Sequence, residues 1–116
     1  MEHGTTFRSG DLTLAGVVHV PDDMQPGERR PAIMVLHGFG NNMDSANSIN
    51  PCNLLTRMGY VTFRFDFRGC GKSEGERGMV IPLEQVEDIQ AAVTYLETRA
   101  EIDPARIGVV GSSFGA

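Results

Sequence analysis

Near the end of the chain, Gly111-Ser112-Ser113-Phe114-Gly115 spells G-x-S-x-G directly behind the apolar run Ile107-Gly108-Val109-Val110. That spacing has a physical cause. A serine presented on a tight strand-to-helix turn has strained backbone angles, and small neighbours let strand and helix close up around it, holding the hydroxyl out. Ser113 is the serine in register, because centring the motif on Ser112 needs glycine where the chain has Val110 and Phe114. The chemistry is attack on an acyl carbon, with Ser113 as nucleophile. Taken alone, the pentapeptide also describes an ordinary polar turn.

A second element, His37-Gly38-Phe39-Gly40, follows another apolar run, Ala32–Leu36. Acyl transfer builds negative charge on the carbonyl oxygen, so the site needs fixed N–H donors aimed there: one just after the nucleophile and one from a glycine-rich loop. Phe114 and Phe39 are placed to supply them. Gly38 and Gly40 let the loop backbone approach a substrate, and Gly111 and Gly115 do the same beside Ser113. The plain alternative for 37–40 is a connecting turn. Two nucleotide-binding patterns fail: Gly71-Lys72-Ser73 lacks the glycine at 66, where Asp66 stands, and HGFGNN does not continue as G-x-G-x-x-G.

The elements that must carry these residues follow from the apolar pattern. Residues 12–20 read as a strand, 21–31 as a surface turn joining it in hairpin fashion to the next strand, and 32–36 as a central strand buried on both faces. Residues 49–58 read as a helix closed by Gly59, 60–65 as a strand, and 66–78, with four glycines, as a loop. The span Pro82–Arg99 repeats apolar residues at Leu83, Val86, Ile89, Val93 and Leu96, with Glu84, Glu87 and Asp88 where the helix dipole favours acids. Asp103-Pro104 reads as a break before a last strand, 106–112. The order strand, strand, helix, strand, helix, strand implies an α/β fold: a mostly parallel sheet with flanking helices.

With 116 residues the chain holds one domain at most, and its 41% hydrophobic content is enough for a core. Ten basic residues scattered among fifteen acidic ones argue against nucleic acid as a partner. No segment has the apolar length of a signal peptide or a membrane span, so a cytoplasmic setting without membrane association is expected. Cys52 and Cys70 are expected as free thiols, and no metal or cofactor is expected.

HGFG after a buried strand, DFRGCGKSEG after the next, a long helix and IDPARIGVVGSSFGA together resemble the α/β-hydrolase superfamily over nearly the whole chain. D-x-R-G-x-G-x-S and the D-P-x-R-I lead-in are similar to serine-aminopeptidase-type, esterase and dienelactone-hydrolase-like members. The resemblance implies a serine hydrolase cutting a small-molecule ester or a peptide. It also implies the order nucleophile, acid, histidine, which places the acid and base after Ser113 and leaves His3, His19 and His37 out as base. His37 is then expected to prop the oxyanion loop, and Asp66 and Glu74 to brace their own loop. Residues 1–116 would be a partial domain ending after the nucleophile turn, with an apolar edge strand and no activity alone. The other function class is a non-catalytic relative serving as a binding or structural module. Acyl group, leaving group and oligomeric state stay open.

Overall fold

The computed structural model of the chain describes residues 1–38, 41–77 and 81–111. Strands β1 (Glu2–Ser9) and β2 (Leu12–His19) form an antiparallel hairpin, and Gly10 takes φ +58° in its two-residue loop. Then come β3 (Arg30–Leu36), helix α1 (Ala46–Arg57), β4 (Val61–Phe65), helix α2 (Pro82–Glu97) and β5 (Ile102–Gly111). The strands make a five-stranded sheet in the order β1-β2-β4-β3-β5. Pairing is antiparallel on the β1-β2-β4 side and parallel across β4, β3 and β5. This is the N-terminal part of an α/β-hydrolase fold.

β4 is the middle of the sheet because Val61-Thr62-Phe63-Arg64-Phe65 is buried throughout. Its odd residues face α2 and the hairpin: the Phe63 ring lies 5.7 Å from Tyr95, and Phe65 lies 5.4 Å edge-on from Phe7. Its even residues face α1, where the Thr62 and Thr56 hydroxyls pair at 2.8 Å. The two helices therefore cover opposite faces of the sheet. Gly16 has no side chain for a packing reason: a Cβ there would stand 2.6 Å from the Phe63 ring. Gly59, at φ +104°, follows the last turn of α1 as its composition predicts.

Several expectations need correction. Residues 21–29 do not join hydrogen-bonded neighbours, since β4 lies between β2 and β3. The connection instead spans one intervening strand, about 10 Å across, and Arg30 anchors it by bonding Asp23, Glu28 and the Gly59 carbonyl next to β4. Asp103-Pro104 does not break the chain before the last strand. β5 starts at Ile102 and absorbs the proline in a bulge, with Arg30 paired to Ile102 and Ala32 to Ile107. On α2 the expected stripe is rotated: Leu83 and Val86 are exposed, whereas Asp88, Ala92 and Leu96 are fully buried. Among the described residues no helix is long and apolar enough to cross a membrane.

Candidate active site

Leu36 is paired with Phe65 on one side and Gly111 on the other, so β3, β4 and β5 end at one edge of the sheet. The chain leaves β3 towards the α1 face and β4 towards the opposite face. A crevice outside the carboxyl ends of parallel strands at such a reversal is where α/β folds bind ligands.

His37 leaves β3 at this edge with its ring 3% exposed. Its Nε2 accepts the Phe67 N–H at 3.1 Å, so the proton sits on Nδ1, which donates to the Gly38 carbonyl at 3.0 Å. The imidazole thus extends the β3–β4 ladder by one bond past the last backbone pair and stands edge-on to Phe67 at 5.0 Å. Both ring nitrogens are occupied. Of the other expected site residues, Gly38 follows directly and Gly111 ends the neighbouring strand. Phe39, Gly40, Ser112, Ser113, Phe114 and Gly115 lie outside the described residues.

The loop after β3 is tied down at both backbone groups of Met43. Asp66 Oδ1 accepts the Met43 N–H at 2.8 Å, and Arg64 Nη1 donates to the Met43 carbonyl at 2.8 Å and to Asp44 Oδ1 at 2.8 Å. Asp66 is 1% exposed, and its other oxygen accepts the Lys72 N–H at 2.9 Å. It therefore braces two loops, one more than its own. Gly71, at φ +47°, has no room for a Cβ, which would strike the Asp66 carboxylate. Ser73 Oγ donates to the Asp66 carbonyl at 2.5 Å, and Glu74 accepts the Thr13 N–H at 2.8 Å, so the loop is stitched to β2.

Sequence reasoning missed the burial of two charged side chains, Asp88 and Arg64. Asp88, read as an acid at the helix start, lies fully inside and accepts Ser9 Oγ at 2.7 Å, the Arg68 N–H at 2.9 Å and the Arg68 guanidinium at 2.9 and 3.0 Å. These bonds hold the Arg68 side-chain pKa above its ordinary value, with the Asp88 bond the largest cause. The usable signal was the four-residue spacing of Asp88, Ala92 and Leu96. His19 accepts Arg64 Nε at 3.0 Å through Nε2; burial first, then the Arg64 charge, lower its pKa. Burial pushes the Cys52 thiol up to about 11 and raises that of Cys70.

A cavity of about 500 Å³ lined by Glu2, His19, Asn53 and Arg57 lies instead against α1, beside the start of β4. It holds none of the residues singled out for acyl chemistry, so the strand edge is the better candidate. Among the described residues no group of His, Cys, Asp and Glu is arranged to hold a metal ion.

The profile of the family described as serine aminopeptidase, S33, matches residues 27–116, from before β3 to the last residue. The chain belongs to this family of α/β hydrolases. An Escherichia coli relative, an uncharacterized 31.7 kDa protein in the traX-finO intergenic region, is 40% identical over 75% of the chain and 30% of its own length. Dipeptidyl peptidase 8 of Homo sapiens is 31% identical over 90% of the chain and 13% of its own length. Among solved structures, the α/β hydrolase GrgF from Penicillium sp. sh18 superposes with a TM-score of 0.89 at 26% identity, over 99% of the chain and 38% of its own length. The chain thus spans well under half the length of each of these three proteins.

Proposed function

We propose that the chain carries the nucleophile and oxyanion hole of a serine hydrolase that cleaves carboxylic esters or peptide bonds through an acyl-enzyme. The observation that carries this reading is the pairing of Leu36 with Gly111. It brings the starts of HGFG and GSSFG to neighbouring strand ends, about 5 Å apart. In this reading Ser113 Oγ attacks the substrate carbonyl while a histidine base takes its proton, and the N–H groups of Phe39 and Phe114 receive the oxyanion. Gly38, Gly40, Gly111 and Gly115 keep the backbone close, and His37 holds the start of the loop. The leaving alcohol or amine takes the proton, and water then releases the acid.

The three histidines of residues 1–116 are poor candidates for the base. His3 lies on β1, four strands from β5; His19 is bonded to Arg64; both nitrogens of His37 are engaged. The reading therefore takes base and acid from residues following 116, and residues 1–116 alone turn over no ester. The relatives that favour this class are the S33 family itself and a dipeptidyl peptidase. The test is hydrolysis of p-nitrophenyl esters and aminoacyl p-nitroanilides by the full-length protein. Ser113→Ala should abolish turnover of whichever is cleaved. Activity retained in Ser113→Ala but lost in Ser112→Ala would overturn the assignment.

A further inference from the structure

We infer that Arg64 and Asp66 are positioning residues for the oxyanion donor, acting through the backbone N–H and carbonyl of Met43. The inference rests on the proposed reading of Ser113 and Phe39. The loop leaving β3 is held at its near end by His37, which is fixed to Phe67 and Gly38, and at its far end by Met43. Phe39 falls in sequence between these two anchors. An ordinary loop leaves its peptides to water. Here the two peptides that flank the Met43 Cα are both held, one by a carboxylate on the Met43 N–H and the next by a guanidinium on the Met43 carbonyl, each at 2.8 Å, and Met43 itself is 2% exposed.

Stability alone is a weak reason for this arrangement. Burying two charged side chains is a costly way to hold a loop, because each gives up its hydration. What the two side chains supply is direction: Asp66 accepts only, Arg64 donates only, and with both bonds made the peptides on either side of the Met43 Cα are each held in one orientation. Asp66 also receives the Lys72 N–H, and Lys72 Nζ lies 3.8 Å from Asp44 on the first loop. Residues Met43 and Asp44 of the loop after β3 are therefore linked to Asp66 and Lys72 of the loop after β4. An oxyanion donor must stand within a few tenths of an ångström of its place, and a displacement near 1 Å costs roughly a hundredfold in rate.

The experiment uses the full-length protein with Asp66→Asn, which turns one acceptor into a donor, and Arg64→Lys, which keeps the charge but loses the fork. For each, kcat and KM on a p-nitrophenyl ester, Ki for a trifluoromethyl ketone that forms an oxyanion adduct, and amide exchange across residues 38–44 are measured. The expected result is a kcat lowered about ten- to a hundredfold with KM within about twofold. Ketone affinity should fall by the same factor, and exchange should quicken in the loop. Arg64→Met, which makes neither bond, should be worse than Arg64→Lys. If Asp66→Asn does not fold, the Arg64 pair carries the comparison. Unchanged kcat and ketone affinity alongside faster loop exchange would overturn the inference. The two readings fail separately: an active Ser113→Ala removes the proposed function, whereas a dead Ser113→Ala beside a fully active Asp66→Asn removes only the positioning role.

Discussion

Replacing Asp88 with alanine removes, in one step, the acceptor for the Ser9 hydroxyl, the Arg68 N–H and the Arg68 guanidinium. Ser9 is 3% exposed and has no water to turn to, so its hydroxyl and the backbone N–H each lose about 1 kcal/mol or more. The guanidinium loses a two-bond contact to a fully buried carboxylate, but its 17% exposure and its neighbours Glu84 and Glu87, at 3.5 and 3.2 Å, soften that loss. The sum is about 3–4 kcal/mol, near the lower part of the range for breaking a buried ion pair. Equilibrium urea denaturation followed by circular dichroism measures it, with an unchanged m-value required for the comparison. Asp88→Leu with Arg68→Met should then be more stable than Asp88→Leu alone, because the orphaned charge is gone. A loss below about 1 kcal/mol in Asp88→Ala, or a double variant no better than the single one, would refute the claim that pairing, and not packing, holds α2 to this loop.

Other outcomes follow from the same geometry. Gly71→Ala puts a methyl group on the Asp66 carboxylate at a left-handed φ, and should cost about 2 kcal/mol or more in the same denaturation assay. His19 has a lowered folded-state pKa, so unfolding takes up a proton near pH 6.5 and below; its share of stability is complete above that pH and shrinks as the pH falls towards the folded value. His19→Gln should accordingly flatten the fall in unfolding free energy between pH 7.5 and 5.5, and an unchanged slope would count against it. Cys52, fully buried with its thiol pushed up to about 11, should resist iodoacetamide at pH 7.5 in the native protein, while half-buried Cys70 reacts first, as peptide mass mapping of labelled sites will tell.

What was legible in the sequence was whatever burial writes as an unbroken or periodic apolar run. Ala32–Leu36 and Val61–Phe65 read as buried strands because both of their faces are covered. The first strand gave no such signal: at the sheet edge, only Phe7 of Glu2–Ser9 is a buried apolar residue. The order of strands was harder, since turn composition in 21–29 cannot report that a later strand will slip between β2 and β3. The stripe on α2 misled because its innermost member is an aspartate, and the partner that neutralises it, Arg68, lies twenty residues earlier on a loop. In the candidate site, the types and spacing of His37, Gly38 and Gly111 drew attention to two strand ends that the sheet sets side by side. The clamp on Met43 was invisible, because it runs through backbone atoms that every residue shares.

The placement of β3 also bears on how the protein is made. Both of its neighbours, β4 and β5, are translated after it, so the apolar segment Ala32–Leu36 leaves the ribosome with no strand to pair with. At roughly 5–20 residues per second, β4 follows within seconds and β5 some seconds later. The β1–β2 hairpin, which forms locally, cannot shelter β3, because β4 must come between them. For that interval Ala32–Leu36 is the stretch most open to holdase chaperones. A translational pause while Ala32–Leu36 is outside the ribosome and Val61–Phe65 is not should therefore lower the soluble yield.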